Sequence, residues 1–184
     1  MGSEGHIIEF VKLLKGAEIC LKNAKRLLED ANILSREGRY PSGHILAMLS
    51  HEEVAKAFFL LDFYERGEDL SKKQWEKITK GRAHSQKLEL IQRKEIEWID
   101  KLLEEETKWT KDFSESLGKL ARAEQVMKER LTYVDYSFPK QEWMDPEKEP
   151  AADKFNCQMR IELSEWAISK LEAEFKKQQT KRKN

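Results

Sequence analysis

The chain has 184 residues, which corresponds to about one domain on the usual scale of ~100–200 residues, and no apolar run reaches the ~18 residues of a membrane span. Hydrophobic residues make up 39% of the chain, and the charged fraction of 37% lies well above the usual quarter. Because 34 basic side chains balance 34 acidic ones, the whole chain lacks the positive excess of a nucleic-acid binder, although a local basic patch stays compatible with this balance.

Long helices are expected, because 8 glycines and 4 prolines provide few turns. Apolar residues spaced three and four apart predict one or two helices over residues 5–36, with Gly16 as a point where the chain can bend. Gly38 is expected to follow this helix as its C′ residue. A second helix is predicted from about Pro41, since proline suits a first helical turn, and Gly67 is expected to end it.

The middle of the chain continues as helix and then changes character. Ser71 is a favourable N-cap for a third helix, and helix-compatible sequence continues to Arg130, with a break near Gly118 that gives a third and a fourth helix. Residues 131–150 hold three of the four prolines and many aromatics. We interpret them as an ordered loop, because linkers lack aromatic anchors.

A last helix is predicted from Ala151 to about Gln178, and the basic tail over residues 176–184 is expected to be frayed. Its apolar positions are Phe155, Met159, Ile161, Leu163, Trp166, Ile168, Leu171 and Phe175. The predicted fold is therefore all-α, an antiparallel bundle of four or five helices with one ordered aromatic loop and no sheet. We expect a single domain over residues 1–184 with a core at about 5–178.

Charged side chains interrupt the apolar stripe of the second helix. At ~100° per residue, Glu52 and Lys56 lie within the stripe and Glu53 lies toward its edge, whereas His51 and Asp62 point elsewhere. Charges in apolar surroundings are costly unless they are paired. The i,i+4 spacing predicts that Glu52 pairs with Lys56. A structural ion pair and a polar site between helices are both compatible with this pattern.

The third helix presents a second polar position. His84 and Lys87 are neighbours at i and i+3, and a histidine beside a lysine can transfer protons and bind phosphate. A solvated helix start is the alternative. The same face continues with Ile91, Lys94, Trp98 and Leu102. If the helices pack these faces together, Glu52, Lys56, His84 and Lys87 share one polar pocket.

Familiar catalytic and metal-binding motifs do not occur in the sequence. His51 begins an HExxH-like segment, but Ala55 stands where the second histidine of a zinc site is needed. Four histidines do not supply the two Glu-x-x-His pairs of a di-iron bundle. Cys20 and Cys157 form no CxxC motif, so we expect two reduced thiols, no metal and no cofactor. The N-terminus shows no signal peptide pattern, which favours a cytoplasmic protein.

Six short segments occur in a characteristic order. They are Asn23–Ala31, Gly38-Arg39-Tyr40, Glu52-Glu53-Val54-Ala55-Lys56-Ala57, His84-Ser85-Gln86-Lys87, Tyr133-Val134-Asp135 and Trp143-Met144-Asp145-Pro146. Together they resemble the AbiV family of abortive-infection proteins, which belongs to the HEPN group of helical domains. The similarity covers roughly residues 17–170, and the ordered set EExxK, HxxK and YVD followed by a tryptophan and a proline is its specific part.

The resemblance implies a prokaryotic cytoplasmic protein that limits phage growth, commonly as a homodimer and without membrane association. Many HEPN domains resemble ribonucleases with an Arg-x4–6-His motif near their last helices. Here the match runs from Arg39 to His44, at the start of the second helix and interrupted by a proline. Catalysis would therefore rely on another set of residues. The candidates are His84, Lys87, Arg130, Tyr133 and Asp135, beside the polar residues Glu52, Glu53 and Lys56.

Three functions remain open on this basis. One is a defence protein that acts on RNA or translation through a HEPN-like site, and another is a non-catalytic module that binds a phage or host protein. The third is a structural helical module. The balanced charge disfavours tight, non-specific RNA binding. The loop residues also have a structural interpretation, with Tyr133 and Trp143 capping the end of the bundle and Asp135 organising a turn. Arg130 would then be a cation at a helix end.

Overall fold

Helices make up most of the described chain. The computed structural model describes residues 7–80, 87, 89–94, 126–132, 135–137, 142–149 and 153–181. The helices are α1 (Phe10–Arg36), α2 (Tyr40–Arg66), α3 (Lys72–Thr79), α4 (helical at 87 and 89–94), α5 (126–132) and α6 (Lys154–Lys181). The all-α prediction is confirmed.

Two short antiparallel ladders accompany the helices, so the expectation of no sheet was wrong in detail. Strand β1 (Ile7–Ile8) pairs with β2 (Leu70–Ser71), and β3 (Asp135–Ser137) pairs with β4 (Glu142–Met144). The second ladder lies in the predicted aromatic loop. Its register sets Tyr136 opposite Trp143, and aromatic residues favour extended backbone. A short 3-10 helix follows at Pro146–Lys148.

The chain divides into two compact units. Unit 1 consists of Met1–Lys22 and Glu52–Arg122, and unit 2 consists of Asn23–His51 and Ala123–Asn184. Helices α1 and α2 therefore each contribute one part to each unit. The single domain over residues 1–184 stays a prediction.

Unit 1 holds the first part of α1 against the second part of α2. The rings of Phe10 and Tyr64 lie 6.4 Å apart, and the backbone N–H of Phe10 donates to Asp69 Oδ1 at 2.8 Å. These contacts join the start of α1 to the end of α2, as in an antiparallel helical hairpin. The buried apolar residues of unit 1 include Leu13, Leu14, Ala17, Val54, Phe58, Leu61, Phe63, Leu70, Ile78 and Ile91.

Unit 2 packs α6 beside the remaining parts of α1 and α2. The Ser50 hydroxyl donates to the Ala24 carbonyl at 2.8 Å, and the Ser164 hydroxyl donates to the Ala47 carbonyl at 3.0 Å. These buried hydroxyls are thus satisfied across helices. The buried apolar residues of unit 2 include Ala24, Leu27, Leu28, Ala31, Met48, Leu131, Cys157, Ile161, Ile168, Leu171 and Phe175.

The predicted helix ends are largely confirmed. Gly38 and Gly67 have φ angles of +73° and +67°, and each lies in a Schellman motif, in which the two residues after the helix donate to carbonyls of its last turn. Ser71 forms a capping box with Gln74. Helix α3 is shorter than predicted, because Lys80 is extended. The next residue in the sequence is a glycine, a poor helix former.

The last helix leaves two of its apolar positions exposed. Phe155 and Met159 are 69% and 50% exposed. Helix α6 continues to Lys181, beyond its expected end near Gln178, and Gln178 is buried. The buried face includes the polar residues Arg160, Ser164 and Gln178, which an apolar pattern cannot reveal. The predicted break near Gly118 lies outside the described residues.

Gly43 lies at a close approach between helices in unit 2. A Cβ atom here would lie 3.0 Å from Cys157 Sγ and 3.1 Å from the Ala31 carbonyl oxygen. Because backbone cannot move away as a side chain does, we expect Gly43→Ala to lower the free energy of unfolding by about 1–3 kcal/mol in urea denaturation. Gly16→Ala is the matched control. It meets only the flexible Leu60 side chain at 3.2 Å and gains helix propensity, so an equal loss there would contradict the explanation.

Candidate functional site

A buried ion pair joins α2 to α4 within unit 1. Lys87 Nζ lies 2.6 Å from Glu52 Oε2, and their side chains are only 9% and 3% exposed. The sequence marked both residues but assigned Glu52 a different partner. Because burial removes both charges from water, each group depends on the other for compensation. The pair therefore fixes α4 against α2.

A second pair lies one residue further along α2. Lys56 Nζ is 2.5 Å from Glu53 Oε1, with side chains 19% and 16% exposed. The predicted pair between Glu52 and Lys56 was therefore wrong. The spacings i,i+3 and i,i+4 both allow contact on a helix, and α4 supplies a different partner for Glu52.

The buried thiol of Cys20 lies beside this second pair. Burial, followed by the negative charge of Glu53, raises the pKa of Cys20 to about 11, while Lys56 acts in the opposite direction. A side-chain hydrogen bond to Glu53 adds to the increase. Since the thiolate is the reactive form of cysteine, Cys20 is protonated near neutral pH and unsuited to nucleophilic chemistry.

The predicted four-residue pocket is only partly described. Glu52 and Lys87 meet, Lys56 turns to Glu53, and His84 lies outside the described residues. The other predicted catalytic residues belong to the ranges of unit 2, where Arg130 Nη1 is 3.8 Å from Glu149 Oε1. Asp135 is paired in register with Met144 on the neighbouring strand. Tyr133 also lies outside the described residues, and the catalytic roles stay predictions.

The Arg-x4-His stretch divides between surface and interior. Arg39 is exposed, whereas His44 is only 5% exposed and its Nδ1 has no hydrogen-bond partner among the described residues. Burial, followed by the positive charge of Arg160, lowers the pKa of His44 to about 4, and Asp153 opposes this decrease. His44 is therefore neutral near pH 7. A surface arginine with an interior histidine lacks the arrangement of an acid–base pair open to substrate.

The expected position of His51 on α2 was also wrong. The stripe prediction turned His51 away from the core, yet the side chain is fully buried. Helix α2 buries residues around most of its circumference, including Met48, Ser50, His51, Glu52, Val54, Ala55, Phe58 and Leu61. No residue of α2 from Gly43 to Leu61 is exposed, so the helix offers no solvent-exposed face at the level of His51.

An open cleft with a volume of about 820 Å³ lies within unit 2. One wall is the turn between α1 and α2 with the first residues of α2, and the other is the segment after β4. The lining residues are Gly38, Arg39, Tyr40, Pro41, Ser42, Leu131, Asp145, Pro146 and Glu147. Its volume falls in the range of about 300–1,000 Å³ that ligand sites occupy. Sequence patterns did not predict this cleft, although residues of two family-like segments, Gly38-Arg39-Tyr40 and Trp143-Met144-Asp145-Pro146, line it.

The described part of the chain has no cluster of side chains that could bind a metal ion. No group of three or more histidine, cysteine, aspartate or glutamate side chains there is placed to hold an ion. The described helices also include none with the length and apolar character of a membrane span.

The helical architecture makes the chain an all-α protein, consistent with a HEPN-like bundle. The family model HEPN_AbiV, described as AbiV, matches residues 12–162. The chain therefore belongs to the AbiV family, and this membership supports a role in abortive infection, that is, in defence against phage. No curated protein and no solved structure matches the chain.

Proposed function

We propose that this protein acts in phage defence by binding a phage or host protein and that it does not cut RNA. The observation that carries the proposal is the buried Glu52–Lys87 pair. An ammonium group that binds phosphate must be accessible to it and available to pair with it. Lys87 is 9% exposed and already neutralised by a carboxylate, so it is poorly suited to that task.

The other polar groups support the same conclusion. Lys56 is paired with Glu53, the Cys20 thiol is protonated, and His44 is neutral and enclosed. Cys20 and His44 are buried, and the Lys56–Glu53 pair is half-buried. Their arrangement suits a role in stabilising the helices, which leaves the surface to carry the defence activity through binding.

The proposal includes a cytoplasmic homodimer. Two-fold dimers are the commonest closed assemblies, and the exposed Phe155 and Met159 provide apolar surface on α6 for a contact between copies. Light scattering measures this directly, and the mass of a single chain at micromolar concentration would count against it.

Incubation of the purified protein with total RNA tests the proposal. We expect the RNA size distribution to stay unchanged while cells that express the same protein form fewer plaques after phage infection. His84→Ala, purified in parallel, is the matched control for contaminating ribonuclease. RNA that is degraded by the wild type and stays intact with His84→Ala would overturn binding as the mode of action and favour a HEPN-type ribonuclease.

A further inference from the structure

The cleft of unit 2 carries charges of opposite sign on its two walls. The acidic wall presents Asp145 and Glu147, and the opposite wall presents Arg39. All three residues are exposed. The Glu147 backbone N–H donates to Asp145 Oδ1 at 3.0 Å, which holds that carboxylate in place at the start of the 3-10 helix. The cleft thus offers fixed acceptors on one side and a guanidinium donor on the other.

Apolar and aromatic groups line the cleft between these charges. Leu131 is buried, and Tyr40, Pro41 and Pro146 are half-buried. Proline and tyrosine present rigid surfaces, so a ligand loses little entropy in ordering them. An extended peptide can place its apolar residues against such a surface while its polar groups meet the walls.

We propose that this cleft docks an extended segment of the partner protein that carries lysine or arginine beside proline or other apolar residues. This inference rests on the proposed function, since it names the surface through which the partner is bound. Charge complementarity selects the occupant, because two carboxylates and one guanidinium lie among the lining residues. Asp145 Oδ2 also lies 3.4 Å from Lys148 Nζ, so Glu147 is the carboxylate that meets the cationic side chain. The same carboxylates repel a polyphosphate backbone, which makes RNA a poor occupant.

Two variants of opposite charge test the cleft. A labelled decapeptide of alternating lysine and proline is titrated with the full-length protein at low salt, and fluorescence anisotropy gives the Kd. We expect Glu147→Lys to weaken binding by about fivefold, which is the upper range for one exposed charge pair. Arg39→Glu should strengthen binding by a similar factor. The side chains of both residues are exposed, so neither change should disturb folding.

Glu162→Lys on the exposed face of α6 is the matched control, since it makes the same charge change outside the residues that line the cleft. We expect it to bind the peptide as the wild type does. Equal weakening by Glu162→Lys would overturn the proposal, because the peptide would then respond to net charge alone. Tighter binding of the alternating glutamate–proline decapeptide, or of an oligouridylate, would overturn it as well.

Failure of this inference can be told apart from failure of the proposed function. RNA degradation that depends on His84 would remove the proposed function whatever the cleft binds. If RNA stays intact and plaques are still suppressed while Glu147→Lys and Arg39→Glu bind the lysine–proline peptide as the wild type does, the cleft assignment alone is wrong. If cells that express Glu147→Lys lose plaque suppression while cells that express Glu162→Lys keep it, both the proposed function and the cleft assignment are supported.

Discussion

Replacement of Glu52 by leucine is expected to lower the free energy of unfolding by about 3–5 kcal/mol in urea denaturation. The reason is that Lys87, 9% exposed, would keep a buried charge whose carboxylate 2.6 Å away has been removed. Lys87→Met should be destabilising as well, since it removes the ammonium group 2.6 Å from the buried Glu52 carboxylate. The Glu52→Leu loss is large for a protein of this size, because total stability is usually only about 5–15 kcal/mol.

The double variant Glu52→Leu/Lys87→Met separates a lost charge pair from lost packing. When both charges are replaced by apolar groups of similar size, we expect most of the stability to return. Asp62→Asn is the matched control. It breaks an exposed pair with Arg66 on the same helix and should cost at most ~1 kcal/mol. A Glu52→Leu loss no larger than that of Asp62→Asn would show that Lys87 finds compensation elsewhere.

The second large effect that we expect is a dependence of stability on pH that comes from His44. The unfolded chain protonates this histidine at its ordinary pKa of 6.5, whereas burial lowers the pKa to about 4 in the folded protein. Between these two pKa values the unfolded state binds more protons than the folded state. The contribution of His44 to the free energy of unfolding is therefore fully present above about pH 6.5 and decreases as the pH falls toward 4. The total contribution is on the order of 3 kcal/mol, from ~1.4 kcal/mol per pKa unit.

His44→Met isolates this contribution. Methionine fills a similar volume without a titrating group, so urea midpoints of the variant should depend less on pH than those of the wild type over this window. Groups away from this site are the same in both proteins, so their contributions cancel in the comparison. Parallel pH profiles for the two proteins would mean that His44 becomes protonated as readily in the folded as in the unfolded chain.

The sequence predicted those parts of the fold that depend on neighbouring residues. Gly38, Gly67 and Ser71 were placed correctly, because a helix end depends on groups within one turn of it. The expected pocket placed Lys87 near Glu52, but the ion pair itself was assigned to Lys56 instead of Lys87. Spacing ranks partners on the same helix, whereas the choice among residues that meet across helices depends on packing.

For the candidate site, the sequence identified important residues but did not predict how they pair. Sequence patterns selected Glu52 and Lys56 as charged groups within an apolar stripe and Lys87 as the polar neighbour of His84, and these residues are largely buried in pairs. Their pairing and enclosure follow from packing. The cleft was missed for a related reason, because its two walls come from segments far apart in the chain, around Arg39 and Asp145.

The nearly complete burial of α2 also affects how a genetic screen of this protein would be interpreted. Most substitutions at enclosed positions destabilise, and modest losses of stability reduce the amount of protein in the cell. Random mutagenesis followed by selection for phage sensitivity would therefore recover many variants in Tyr40–Arg66, whatever their distance from a partner. The informative variants are those at exposed positions that keep normal protein levels. Their loss of defence cannot be explained by lower stability and therefore points to impaired binding of the partner.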